Sequence, residues 1–250
     1  MKRSLILWGV VLLTLVPAQE AQSQWRNGNL ALRTNGNSFQ SGDRLKVEVL
    51  ALETINEPFF TQVSYRFAET VREKDKDGHE TTKQEERTST RPTGPVLESL
   101  DQFRLLSVDD TFHFGEASPA GRYTIEVGVF RGYTKERLAT LRSCVVYQNG
   151  ERPTDACPLH LRSLKRANSE EWLIFDGNFS VNGRYSATLL SGTKVIKYLE
   201  GNIGTSGSHE ITIASHLLTG VAGKTYDILL HDHSSNRSST LSRVTIPAAP

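Results

Sequence analysis

Apolar and polar residues alternate along this chain with a period of two. In RLKVEVLAL (44–52), Leu45, Val47, Val49 and Ala51 share one face, while Lys46 and Glu48 take the other. In QVSYRF (62–67), Val63, Tyr65 and Phe67 oppose Gln62, Ser64 and Arg66. In RYTIEVGVF (122–130), Tyr123, Ile125, Val127 and Val129 alternate with polar or small residues. This is the pattern of half-buried antiparallel strands. Gly, Asn, Asp and Pro clusters punctuate it at short intervals. No segment carries a convincing helical period. The pattern predicts an all-β chain folded as antiparallel β-sandwiches.

Two segments interrupt the alternation. Residues 71–91, VREKDKDGHETTKQEERTSTR, hold six basic and six acidic residues and almost nothing apolar after Val71. Such a stretch cannot bury a core face. Asp77-Gly78 is a hairpin turn signal. A protruding, solvated hairpin or a partly disordered loop is expected, with Arg72, Lys74, Lys76, Lys83 and Arg87 as candidate partner-binding cations. The second interruption, QNGERPTDACP (148–158), clusters polar residues and proline between two strand-rich halves. It predicts one domain over 24–149, a linker over 150–158 and a second domain over 159–250.

The N-terminus changes the compartment. Lys2 and Arg3 precede an almost wholly apolar run over 4–16, followed by small residues. This is the grammar of a secretory signal peptide, expected over 1–23. The run is short of the ~20 residues needed to span a bilayer, and no later segment is apolar enough. An exported chain meets an oxidising space, so the two cysteines, Cys144 and Cys157, are expected to form a disulfide. Cys144 sits in RLATLRSCVVYQ (137–148), where Ala139, Leu141, Val145 and Tyr147 look inward. Cys144 then faces away from the first core and can reach Cys157 across the linker. Their spacing fits no CxxC redox motif, and two thiols alone make a poor zinc site. With 29 Lys and Arg against 28 Asp and Glu, the formal charge is +1. Near-neutrality argues against nucleic acid or an anionic membrane as the main partner.

The halves echo each other. PAGRYTIEVGVF (119–130) and VAGKTYDILLHD (221–232) both read Ala-Gly, then a Tyr opening an alternating strand. A Tyr in that place resembles the tyrosine corner of immunoglobulin-like sandwiches. The second half carries a fuller order of features. EWLIFDGNFS (171–180) ends in a Gly-Asn-Phe turn. RYSATLLSGTKV (184–195) holds a Ser-Gly hairpin. HEITIASHLL (209–218), GKTYDILLHD (223–232) and STLSRVTIP (239–247) follow. Through Gly177, Asn178, Phe179, Gly192, Leu217, Leu218, Tyr226 and Ser239, this region resembles the IPT/TIG family of immunoglobulin-like domains. The resemblance implies a structural or binding module without catalytic residues. In the first half, FQSGDRLKVEVLAL (39–52) is similar to the Gly-Asp turn and strand of many extracellular sandwiches, macroglobulin-like ones included. That pattern carries no function.

Candidate chemistry is sparse. His231 and His233, two apart in LLHDHSSNR (229–237), share a face in a strand. With Tyr226, Ile228 and Leu230 aimed at the core, His231 is expected on the outer face and His233 in the following turn. Metal binding is not expected there. Asp109 and Asp110 in SVDDTFHFG (107–115) suit a solvated turn before a strand better than calcium. Trp25, Trp172, Phe59 and Phe60 are candidates for sugar stacking but suit core packing better. Asn178-Phe179-Ser180 and Asn236-Arg237-Ser238 are formal glycosylation sequons. No Gly-x-Ser-x-Gly elbow, His-Glu-x-x-His, phosphate loop or Rossmann glycine pattern occurs.

These features together predict two immunoglobulin-like antiparallel β-sandwich domains in tandem after a signal peptide. The expected role is a non-catalytic, exported binding or scaffolding protein of a bacterial cell envelope, with no cofactor. The partner would be another envelope or extracellular protein. A carbohydrate-binding accessory protein, with polysaccharide as partner, is the alternative. An enzyme with dispersed catalytic residues is the third reading.

Overall fold

The computed structural model describes residues 29–74, 76, 79–150, 157–166, 172–179, 183–203, 210–218 and 220–247. The expected signal peptide, Trp25, Asp77-Gly78 and residues 151–156 of the expected linker lie outside them. The first half holds β1 (Leu30–Thr34), β2 (Ser38–Phe39), β3 (Arg44–Ala51), β4 (Phe59–Lys74), β5 (Glu80–Thr90), β6 (Leu105–His113), β7 (Gly121–Arg131) and β8 (Arg137–Tyr147). The second holds β9 (Leu159–Arg166), β10 (Trp172–Phe179), β11 (Gly183–Ser191), β12 (Lys194–Ile203), β13 (Glu210–Ala214), β14 (Thr225–Asp232) and β15 (Arg237–Thr245). The helical content among the described residues is one short 3-10 turn, Ser215–Leu218. The all-β prediction holds.

One long sheet runs through both halves in the order β12-β11-β14-β15-β8-β7-β4-β5, with β2 also on β8. Two three-stranded sheets, β1-β3-β6 and β13-β10-β9, lie apart from it. Nearly all pairings are antiparallel; β15 and β2 each meet β8 in parallel. In the first half the alternation read from sequence is realised. Val47, Val63, Tyr65, Tyr123, Ile125 and Val127 are essentially buried in one core with Leu141, Val145 and Tyr147. Tyr123 OH donates to Pro119 O at 2.8 Å, the backbone-directed bond of a tyrosine corner. The Gly-Asp turn closes as expected. Gly42 sits at φ 88°, a backbone state that favours glycine, while the Asp43 carboxylate accepts Gln40 N–H at 2.7 Å. Leu161, Phe175, Tyr185, Leu189, Ile228 and Leu230 form a second core.

The halves are joined by more than a covalent linker. β15 pairs with β8 at Arg237↔Arg142 and Ser238↔Ser143. β1 lies against β15, with Leu32 N–H donating to Ser238 Oγ at 3.1 Å and Thr34 N–H to Thr240 Oγ1 at 3.2 Å. A third apolar cluster, Ala31, Leu50, Leu52, Leu190 and Leu229, draws on both halves. β14 is therefore covered on both faces: Ile228 and Leu230 in the second core, Leu229 and His231 at the joint. Strands buried on both faces read as continuous apolar runs, and ILL at 228–230 is such a run.

Cys144 and Cys157 are bonded, with Cα atoms 5.6 Å apart. Both are buried beside Val146, outside the main cores, as the outward phase of Cys144 predicts. The bridge closes a loop of sequence separation 13, for which the chain-entropy model gives roughly 3 kcal/mol. Substituting both residues by Ala is expected to lower Tm by roughly 6–12 °C in scanning calorimetry, with the β-sheet circular dichroism at 25 °C unchanged. An unchanged Tm would show that the ladder and the third cluster suffice to hold the joint.

Candidate functional site

The described part of the charged segment is a β-arm. β7 pairs with β4 only as far as Phe67↔Tyr123. Beyond it, β4 and β5 pair with each other alone, from Ala68↔Glu86 to Lys74↔Glu80. The seven residues Ala68 to Lys74 carry the ribbon about 23 Å past the sandwich at ~3.3 Å per residue. Isolated two-stranded ribbons are marginal in water, so this one depends on the sheet it grows from and on cross-strand pairs. Residues directly opposite share a face. Arg87 binds Glu69 at 3.1 Å and Glu85 at 3.2 Å, and Lys83 lies 3.5 Å from Glu85. Glu69 and Glu85 are opposite each other, a like-charge pair that Arg87 neutralises.

Four of the five candidate cations divide between the two faces of the ribbon. Lys83 and Arg87 lie on the face that continues the core side of β4, within this ion-pair cluster. Arg72 and Lys74 lie on the opposite face, opposite Thr82 and Glu80. Lys76 is exposed at the turn. The phase of two residues per repeat, applied to the hairpin, separates the two sets.

His231 is not on an outer face. It is 1% exposed, because the face of β14 away from the second core is roofed by the first half. Its Nδ1 shares a 2.9 Å hydrogen bond with Ser238 Oγ, which also accepts Leu32 N–H. Burial, with a smaller push from His233, drives its pKa down to about 3. Burial likewise lowers His233, against the opposing pull of Glu200. The two rings meet edge-on at 5.0 Å. No group of three potential metal-ligating side chains occurs among the described residues. This imidazole pair is a neutral, packed element of the joint.

Asp109 and Asp110 lie within β6 and not in a turn before a strand. Asp109 points inward and is 7% exposed. It accepts Tyr65 OH at 2.6 Å, Arg91 Nε at 3.2 Å, and both Thr111 N–H and Thr111 Oγ1. Burial alone would raise its pKa, but these bonds together lower it. All its oxygens are engaged by protein donors, and Asp110 is exposed beside Arg44. Phe59 is fully buried in the first core. Phe60 stacks on Phe130 on the outer side at 5.2 Å. The side chain of Trp172 lies outside the described part. Asn236 is 7% exposed, so its sequon is not presented at a surface.

No family model matches the chain, and no curated protein matches it either. Solved structures similar to it include the native conformation of Escherichia coli alpha-2-macroglobulin, at 9% identity over 84% of this chain and 13% of that one, TM-score 0.26. Salmonella alpha-2-macroglobulin reacted with methylamine gives 10% over 86% and 14%, TM-score 0.26. Spo0M, a sporulation control protein of Bacillus subtilis, gives 10% over 84% and 82%, TM-score 0.27. The chain thus spans about one-seventh of each macroglobulin. Likenesses this distant say nothing of what the chain does.

Proposed function

We propose that the chain is a non-catalytic, exported binding or scaffolding protein of a cell envelope, and that the β4–β5 arm is its recognition element for another envelope protein. The observation that carries this is the ladder of Ala68–Lys74 with Glu80–Glu86, which leaves the sandwich and pairs with no other strand among the described residues. Such a ribbon adds no core, exposes two charged faces and offers a long contact surface. Arg72 and Lys74 share one face near its end, with Lys74 opposite Glu80, so the end offers both signs of charge to a partner. The disulfide agrees with an oxidising compartment, and no helix among the described residues is long and apolar enough to cross a membrane. The IPT/TIG-like order of features in the second half agrees with a docking or spacer module.

The register defines a clean deletion. Removing residues 69–85 and closing Ala68 to Glu86 with a Gly-rich turn leaves the β4–β7 ladder intact. Cross-linking mass spectrometry in the native envelope is expected to recover a specific protein partner with the full chain and lose it with the deletion. A partner retained by the deletion would reduce the arm to a solvated insertion. A second reading rests on the flat face. A Cβ on Gly128 would fall 2.7 Å from Phe130 Cε2, so the Phe130 ring lies over that glycine beside Phe60. Stacked rings on an outer sheet face suit a sugar, and glycan-array binding lost with Phe60→Ala would favour it.

A further inference from the structure

A crevice of about 200 Å3 opens where the two halves meet on the outer side of the long sheet. Arg122, Thr124, Arg142, Cys144, Leu159 and Arg237 line it. The phase of the strands explains why they converge. Cys144 faces outward, as above, so its neighbours two away, Arg142 and Val146, face outward too. Their register partners on β7 are Thr124, Glu126 and Arg122. From the other half, Arg237 stands directly opposite Arg142.

Like charges directly opposite on neighbouring strands destabilise a sheet. Among the described residues, one of these arginines is compensated from within. Arg142 Nε lies 3.4 Å from Glu126, a carboxylate shared with Arg66 at 3.8 Å. Arg122 and Arg237 have no carboxylate within ion-pair distance among the described residues. Three arginine side chains thus line one crevice whose apolar wall includes Cys144, Pro158 and the edge of Leu159, and the one carboxylate near them, Glu126, is shared between Arg142 and Arg66. Guanidinium groups bind carboxylates in a planar, two-pronged geometry. The apolar wall matches the methylene stem of an acidic side chain, and a bare inorganic anion gains nothing from it. The volume is below the 300–1,000 Å3 typical of small-molecule pockets, so it suits one inserted side chain.

We propose that this crevice is a peptide-binding site that receives a Glu or Asp side chain of an acidic peptide segment, gripped by Arg237 and Arg122 with Arg142 behind them. It is separate from the arm: it lies at the joint, on strands that the deletion of 69–85 leaves untouched. It is also composed from both halves, so it exists only when β15 has docked on β8.

The test is titration of the full, disulfide-bonded chain with a fluorescent hexaglutamate peptide at low salt, followed by polarisation. Saturable binding is expected, with none for hexaglutamine. Arg122→Gln with Arg237→Gln is expected to weaken it by at least about tenfold, the loss that follows from removing charged hydrogen-bond donors. Thr124→Glu, which supplies a carboxylate inside the crevice while keeping all three arginines, is expected to block the peptide. Thermal melts confirm that each variant is folded. Deleting residues 69–85 is expected to leave the affinity unchanged. Three results would overturn the proposal: no binding of hexaglutamate, undiminished binding by the folded double variant, or arginine-dependent binding of inorganic phosphate without binding of the peptide.

Discussion

Replacing Arg33 by Ala is expected to cost about 3–5 kcal/mol, the range for removing one member of a buried charge network. Arg33 is 6% exposed. Its Nη1 donates to Glu48 Oε2 at 2.9 Å within the first half, and its Nη2 to Asp227 Oδ2 at 2.6 Å in the second. Glu48 is also buried, at 4%. Its remaining cation, Lys46, reaches Oε1 at 2.6 Å from a side chain 41% exposed. Without Arg33, among the described residues, Glu48 keeps the half-solvated Lys46 and Asp227 keeps the Arg243 N–H. Tm is expected to fall by roughly 6–20 °C. A double-mutant cycle with Asp227→Ala separates attraction from general damage. A coupling energy of about 1–3 kcal/mol is expected, and a value near zero would show that Arg33 acts through packing of its stem alone.

The second large effect is acid sensitivity of the joint. His231 titrates near 6.5 in an unfolded chain and at about 3 in the fold, chiefly because burial disfavours its charged form. A lowered folded pKa means that the unfolded state binds the proton first. The stabilisation is therefore fully present above pH ~6.5 and is lost as pH falls from there toward 3, by up to about 1.4 kcal/mol per pH unit. His233, also lowered, adds a loss of the same sign. The charged groups acting on His233 are Glu200, Asp232 and Glu53 on one side and Arg184 on the other. Asp109, whose carboxyl is likewise held below its usual value, loses its contribution only at lower pH. Denaturant unfolding between pH 7.5 and 4.5 should show stability falling more steeply for the native chain than for His231→Gln. Parallel curves would mean that the imidazole finds water or an anion when protonated.

Both effects arise at contacts that pattern reading did not reach, and the reason is geometric. Alternation reports which residues share a face, and it does so correctly in β3, β4, β7 and β8, down to the outward phase of Cys144. It does not report what lies over the second face. Tyr226, Ile228 and Leu230 were legible as inward-facing, so His231 read as outward; its roof, β1, lies some 200 residues away in sequence. Glu48 read as solvent-facing for the same cause. The available signal was local: LALRT at 30–34 and DILLHD at 227–232 are apolar on both phases, which marks strands buried twice. The arm was legible from charge alone, because nothing in 72–90 can be buried. Which cations share a face was not, because that depends on hairpin register. The crevice arginines escaped notice for a similar reason: Arg122, Arg142 and Arg237 are brought together by pairings across 24, 16 and 95 residues.

The side-chain bonds from Ser238 and Thr240 to the backbone of β1 also have a kinetic meaning. β1 is near the beginning of the chain and β15 near its end, yet Leu32 and Thr34 find acceptors only there, at separations of 206 residues. Contacts of such high order form late, because a long loop must close before they reward the chain. While the last strand is missing, β1 exposes Ala31 and two unsatisfied amide donors along a free strand edge. Such edges template wrong pairing between chains. The first half can collapse around its own core early, but it stays adhesive until β15 arrives. A chaperone or a slow translocation step that keeps neighbouring chains apart during that interval would therefore raise yield more than any gain in the stability of the finished fold.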